Sequence, residues 1–182
     1  KAIKNDQTLR VADNNFGWLY LGNRRIDAAR EEFERITFCD PLDHSALRGL
    51  GDVEFALKKY KNAKNRYGEA LKLKSDDKRA MTSLAECHLR LGNYAETENI
   101  LTKLKKLDPL NGKAYRIEAE LCAQKGEFKK ALAFYKESVI LGPNNPEIYK
   151  NIFLILRTEK NKELLKFFRI RYSVIKKRRR SR

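Results

Sequence analysis

Apolar residues recur along this chain at steps of three and four, in paired runs separated by a short polar break. Residues 112–145 show the pattern plainly. Tyr115, Ala119 and Cys122 fall on one side of a first run that ends near Lys125-Gly126. Phe128, Ala131, Leu132, Tyr135 and Val139 fall on one side of a second. Steps of i, i+3, i+4 and i+7 collect side chains on one helical face, so each run predicts an amphipathic α-helix. Gly126 offers the left-handed backbone that closes the first helix. Gly142-Pro143 stops the second, because proline has no N–H to donate into a continuing helix. The prediction is helix, tight turn, helix, stop.

The same skeleton returns when the chain is shifted by 34 residues. Gly92, Tyr94, Leu101 and Pro109 then lie over Gly126, Phe128, Tyr135 and Pro143. A second shift brings Tyr60, Ala63, Tyr67 and Ala70 into register, and a third brings Ile26, Ala29, Phe33, Ile36 and Pro41. A constant period without insertions outranks any local motif and predicts a repeat array. The blocks run over residues 10–43, 44–77, 78–111 and 112–145, with a divergent fifth framed from 146 to 179. Within that frame, 146–175 is assigned to a last hairpin or capping helices and 176–182 to a basic tail. Residues 1–9 precede the array; Lys1 to Asp6 fit either the end of an earlier second helix or a frayed terminus.

Small residues recur with the same period. The eighth residue of each block is Gly17, Gly51, Ala85, Ala119 and finally Phe153; the twentieth is Ala29, Ala63, Thr97, Ala131 and finally Leu165. Small side chains on both members of an antiparallel pair let two helices approach closely. The fifth block loses both, so its hairpin is expected to be wider or differently angled. The second block has Ser75 where the first, third and fourth carry proline.

This skeleton, with its small eighth, aromatic seventeenth, small twentieth, bulky twenty-fourth and proline thirty-second residues, resembles the tetratricopeptide repeat family. The pentatricopeptide RNA binders have a nearby period, but the Gly/Ala/Tyr/Pro skeleton is not theirs. The resemblance covers nearly the whole chain. It implies an all-α, right-handed superhelical solenoid of about five stacked hairpins, each unit touching only its neighbours. It also implies a concave groove lined by the second, fifth, ninth and twelfth residues of the first helices. On this chain those are Asn14 and Trp18; Arg48, Asp52 and Phe55; Arg79, Thr82 and Glu86; Lys113, Arg116 and Glu120; Lys150, Leu154 and Arg157. Basic residues dominate the second and fifth positions and acidic ones the ninth, which suggests a bipolar groove for a protein or peptide of mixed or acidic charge. The Arg48–Asp52 and Arg116–Glu120 spacings equally suit ordinary i,i+4 ion pairs. Trp18, the one tryptophan, is either a groove anchor or packing against whatever precedes it.

One family subclass clamps the C-terminal carboxylate of chaperones with Lys and Asn residues at set positions. Its frame falls here on Asn14, Trp18, Gly49, Arg79 and Ser83, or on Arg48, Asp52, Ser83, Lys113 and Ile117. The central Asn is missing from both, and Asp52 would repel a carboxylate. A chaperone-tail clamp is not expected.

Composition narrows the function further. The net charge is +16, and residues 146–182 carry 13 basic against 3 acidic side chains, so the basicity is chiefly C-terminal. The run Lys176, Lys177, Arg178, Arg179, Arg180 reads as a solvated tail, a nuclear-import signal, a nucleic-acid contact or an anionic-membrane contact. The longest apolar run, Ile152 to Leu156, is five residues, far short of a membrane span. The sequence starts at Lys1 rather than Met, as a processed form or an excised piece would. Cys39, Cys87 and Cys122 are widely spaced with no metal-ligand pattern and read as reduced thiols, favouring a reducing compartment, cytoplasm or nucleus. No phosphate-cradling loop, Ser/His/Asp set or HExxH occurs, and His88 falls on an apolar helix side as core filler.

Before the tail, Leu165, Phe168, Tyr172 and Ile175 form a stripe suited to packing on the fifth block's first helix. Leu164, Phe167 and Val174 form a second stripe that an array ending here would leave in water, which predicts an interaction site with self-association as its simplest outcome. The reading is a non-catalytic protein–protein interaction scaffold without cofactor or metal, helping to assemble a multiprotein complex. The runner-up is an adaptor for nucleic acid or an anionic surface that uses the basic tail.

Overall fold

A computed structural model describes residues 14–142, 146–159 and 162–180, with side chains on the last helix described through Ser173. The N-terminal segment 1–9, Pro143 and the side chains of Val174 to Arg180 lie outside the described set. Ten helices and no strand occur among the described residues. They are α1 (residues 14–22), α2 (Ile26–Cys39), α3 (His44–Ala56), α4 (Tyr60–Leu73), α5 (Lys78–Arg90), α6 (Tyr94–Leu107), α7 (Gly112–Gln124), α8 (Phe128–Leu141), α9 (Pro146–Glu159) and α10 (Lys162–Arg180). The chain divides into two compact units, one ending at Leu107 and one beginning at Asp108. Helices α1 to α6 belong to the first and α7 to α10 to the second. None of the described helices is long and apolar enough to cross a membrane.

The helix ends follow from the residues that occupy them. Asp43 and Asp77 cap α3 and α5, each carboxylate accepting from two backbone N–H groups of the first turn. Asn111 accepts from the Ala114 N–H at the start of α7. Such oxygens satisfy donors that the helix itself leaves unpaired. Helices α1, α3, α5 and α7 each close with one left-handed residue: Gly92 and Gly126 at φ 76°, Arg24 at 60° and Lys58 at 59°. The N–H after each of these returns to a carbonyl five residues back, as in Arg25 to Tyr20 and Lys59 to Glu54. This is the Schellman closure, and the first two hairpins make it without glycine.

Close approach inside unit 1 depends on aromatic rings seated against glycine. A Cβ on Gly17 would stand 2.5 Å from the Phe33 ring, and one on Gly49 would overlap the same ring. A Cβ on Gly51 would stand 2.5 Å from the Tyr67 ring. Phe33 is fully buried with Ala29, Ala46 and Val53 around it, and the Trp18 ring meets it edge-on at 5.4 Å. Ala63, Ala85 and Thr97 are likewise fully buried.

In unit 2, Ala119, Ala131 and Tyr135 join Tyr149, Ile152 and Phe168 in one cluster. At Gly112 a Cβ would stand 2.9 Å from the Gly142 nitrogen, so the start of α7 lies directly on the end of α8. The α9–α10 pair is built differently. Tyr149, Phe153, Phe168 and Tyr172 interlock with centroids 5.2–6.3 Å apart. A cleft of about 370 Å³ remains, lined by Phe153, Leu156, Arg157, Leu165, Arg169 and Tyr172. Phe153 and Leu165, the large residues at the two contact positions, both line this cleft.

Two substitutions test this geometry with opposite signs. At an open helical site Gly→Ala would stabilise by about 0.8–1 kcal/mol through propensity. Gly49→Ala should instead cost about 1–3 kcal/mol by overpacking against Phe33. In urea denaturation, Phe33→Leu combined with it should be less damaging than the two changes added together. Lys58→Gly should raise stability by up to about 1 kcal/mol, because glycine adopts the left-handed turn without steric cost; an unchanged or lowered midpoint would contradict the strain assigned to that turn.

Candidate functional site

In unit 1 the first helices bring four of the expected groove residues around one cavity. Trp18, Asp52, Phe55 and Glu86 line a space of about 380 Å³ together with Leu21, Gly22, Ala56, Tyr67 and Ser83. Asp52, one of the lining residues, is held by both carboxylate oxygens. Its Oδ2 accepts from Trp18 Nε1 at 3.0 Å and its Oδ1 accepts from the Tyr67 hydroxyl at 2.7 Å. Tyr67 was legible in the sequence as a packing aromatic, but its hydroxyl also orients the carboxylate of this site. Phe55 is held edge-on by Tyr60 at 5.3 Å. Glu86 receives a long contact from Arg90, 3.5 Å away on the same helix.

Three other expected groove residues are drawn into the structure. Asn14 is buried and its Nδ2 donates to Asp43 at 3.2 Å. Arg48 is 8 % exposed and donates from Nη1 to Asp77 at 2.6 Å, with its guanidinium 4.7 Å over the Trp18 ring. Thr82 is buried and donates to the Lys78 carbonyl at 2.6 Å. Arg48 therefore reaches across to the cap of α5, a partner the i,i+4 reading had not included. Asn14–Asp43 and Arg48–Asp77 are both 29 residues apart, one device used twice. Arg79 stays exposed. The charged side chains that line the cavity itself are the acidic Asp52 and Glu86, set among aromatic rings.

The electrostatics follow. Burial, and then the charges of Glu86 and Asp52, push the Cys87 thiol up to about 12. Burial and then Asp52 also raise the Tyr67 hydroxyl. At Asp77 burial acts to raise the carboxyl. The Ala80 N–H, the charge and hydrogen bond of Arg48, and the Arg79 N–H outweigh it and hold the group below its ordinary value. Cys87 and Cys122 are buried as small apolar residues, whereas Cys39 is exposed. No group of three or more metal-ligating side chains occurs among the described residues.

In unit 2, Arg116 and Glu120 form the i,i+4 pair at 2.6 Å, while Lys113 and Lys150 are exposed. Leu154 is also exposed, and Arg157 lines the α9–α10 cleft. Two of the three residues of the second stripe of α10 have described side chains, and both are partly buried. Leu164 and Phe167 are half-buried against the unit 2 cluster, Phe167 stacking edge-on with Phe168 at 5.1 Å. Lys136 and Arg171 approach the Phe167 ring at 5.8 and 5.7 Å.

Tetratricopeptide repeat models match residues 54–121 in one case and 14–63 and 98–146 in another. The chain belongs to the tetratricopeptide repeat family. Hsp70-Hsp90 organizing protein 1 of Glycine max is 31% identical over 126 residues, 69% of this chain and 22% of that protein. U-box domain-containing protein 70 of Oryza sativa subsp. japonica is 33% identical over 122 residues, 67% of this chain and 15% of that protein. The chain thus spans no more than a quarter of the length of either relative. Among solved structures, a thermophilic TPR protein of Thermus thermophilus, TTC0263, superposes with a TM-score of 0.73 at 18% identity. That match covers 91% of this chain and 97% of the other, and it shows the shared solenoid fold.

The Asp77 pair gives a signed prediction. Asp77→Asn keeps an oxygen for the cap but leaves Arg48 without its charge partner, at a cost of about 1–3 kcal/mol. Asp77→Ala removes the cap as well and should cost about 1 kcal/mol more. Because the folded carboxyl is depressed, its stabilisation is present above the unfolded pKa of about 3.9 and is lost as pH falls through the lower folded value. Urea midpoints of the Asn variant should therefore drop less steeply on acidification than those of the native protein.

Proposed function

We propose that this chain is a non-catalytic protein-interaction scaffold that seats a partner segment on the faces of its first helices. The observation that carries the reading is the cavity formed by α1, α3 and α5, whose walls come from rigid helices rather than loops. A surface built before binding spends little free energy on ordering, and a stack of hairpins supplies such surfaces in succession. The family, and relatives named for organizing Hsp70 and Hsp90, support an adaptor role in assembling protein complexes.

The residues favour a partner other than a bare C-terminal carboxylate in unit 1. Asp52 faces the cavity, and Arg48, which would have met an anion, is committed to Asp77. In unit 2 the exposed Lys113 is the cation on α7 to which an acidic stretch of a partner would be drawn, and Arg116, one helical turn further along, is held beside it by its pair with Glu120.

The test is affinity capture with the native chain and with Lys113→Glu/Arg116→Glu, circular dichroism verifying that both are folded. Protein partners should be retained by the native chain and weakened several-fold by the reversal, since close charge pairs contribute on the order of 1 kcal/mol or more at interfaces. Capture of no protein by the folded native chain would overturn the scaffold reading. Equal capture by the reversal would remove the α7 face from it.

A further inference from the structure

The hairpin of α9 and α10 leaves a cleft of about 370 Å³, with Phe153, Leu156 and Arg157 from α9 and Leu165, Arg169 and Tyr172 from α10. We propose that this cleft binds a partner segment in which an apolar side chain is flanked by carboxylates. The apolar side chain enters the cleft, and the carboxylates pair with Arg157 and Arg169. The inference rests on the scaffold reading and adds to it a surface built from other residues than the unit 1 cavity.

Floor and rim differ in chemistry. Leu156 is buried, and Phe153, Leu165 and Tyr172 are half-buried. Phe153 and Leu165 stand at the two contact positions that carry small residues in the first four blocks. Arg157 and Arg169 are exposed, one on each helix. Among the described residues neither has a carboxylate partner, whereas Arg30, Arg48 and Arg116 are each paired with one at 2.6–3.1 Å. Glu163, the one acidic residue of α10, is exposed and pairs with neither.

The occupant follows from what each part needs. A guanidinium meets a carboxylate as a two-pronged fork, a stronger contact than one between neutral groups. A phosphate or a nucleic-acid backbone would satisfy the guanidiniums but leave Phe153, Leu156 and Leu165 against water. A wholly apolar segment would cover those side chains but bury two unpaired charges, which is costly. A segment with an apolar side chain between acidic ones uses both. The volume lies at the small end of ligand pockets, about 300–1,000 Å³, and suits a side chain rather than a folded element. Phe153 and Tyr172 meet edge-on at 5.8 Å, and Tyr172 lies 5.2 Å from Tyr149, so the walls are set before a ligand arrives. Residues 146–182 carry 13 basic against 3 acidic side chains, and long-range attraction steers an acidic segment to them.

The probe is acetyl-Glu-Glu-Leu-Glu-Glu-amide, whose capped end excludes recognition of a terminal carboxylate. It is titrated by calorimetry into the native chain and into Arg157→Gln, Arg169→Gln and Lys166→Gln, each folded by circular dichroism. Lys166 is exposed on α10 and is not among the residues around the cleft, so its variant removes the same charge outside the site. The native chain should bind the peptide saturably, and more weakly when alanine replaces the central leucine. Each arginine variant should weaken binding about tenfold, the equivalent of one charge-assisted contact. Lys166→Gln should weaken it by no more than about twofold, as an exposed charge outside the site does. A loss in Lys166→Gln equal to the arginine losses would reduce the effect to diffuse charge and overturn the proposal. So would equal binding of the leucine and alanine peptides, or no saturable binding by the folded native chain. Displacement of the peptide by single-stranded oligothymidylate would overturn it by assigning the cleft to nucleic acid. Sedimentation showing dimers that Arg157→Gln abolishes would overturn it by assigning the cleft to a second copy of the chain. The scaffold reading is judged separately, by capture of protein partners, and stands or falls apart from each of these results.

Discussion

The unit 1 fold depends on aromatic rings that occupy the space where a side chain would otherwise stand. Phe33 lies against Gly17 of α1 and Gly49 of α3, and Tyr67 lies against Gly51. A single methyl group at any of these glycines would have to displace a buried ring. The distance between helices is therefore set by a ring thickness on one side and a bare backbone on the other. Interiors packed at this density transmit such constraints, and the functional surface inherits them. Once its ring is seated against Gly51, Tyr67 places its hydroxyl on Asp52, and Trp18, edge-on to Phe33, holds the other carboxylate oxygen. The cavity wall is thus an extension of the core.

A second economy lies in the capping aspartates. Asp43 and Asp77 each satisfy the first turn of a helix and receive a side chain from 29 residues earlier. A local requirement, filling orphan N–H groups, and a non-local one, joining successive hairpins, are met by the same carboxylate. Agreement between levels of this kind favours one structure over its competitors. It also explains the polarity of the cavity. By recruiting Arg48 to the joint, the structure leaves Asp52 and Glu86 as the charged groups lining that space.

Much of this was legible in the sequence, and the reasons for the gaps are specific. The helices and the buried small residues follow from requirements that recur with the hairpin, so period and composition expose them together. Gly49 did not stand out, because its role depends on a ring contributed by the preceding pair. The four residues around the cavity were identified by position, but the withdrawal of Arg48 was not. An i,i+4 spacing and a 29-residue spacing are both present in the sequence, and only the cap geometry decides between them. The Asn14–Asp43 recurrence was the available signal. At α10, periodicity counted apolar stripes but could not show the Lys136 ammonium and the Arg171 guanidinium brought over the Phe167 ring, because a cation attracted to an aromatic face leaves no trace in an apolar pattern.

The short reach of the polar ties has a mechanical side. Among the described residues, the side-chain bonds Asn14–Asp43, Trp18–Asp52, Arg30–Glu54, Arg48–Asp77 and Tyr67–Asp52 join helices of unit 1 across 15 to 34 positions. Little chain must be gathered before any of them can form, so loop closure is cheap and assembly is fast. The same locality governs behaviour under load. A pull along the backbone of this unit meets ties that each span one hairpin or its junction with the next, so it opens one hairpin while its neighbours hold. Each hairpin released adds contour length in a separate step. A scaffold wired in this way yields to tension gradually and recoils when the tension is removed.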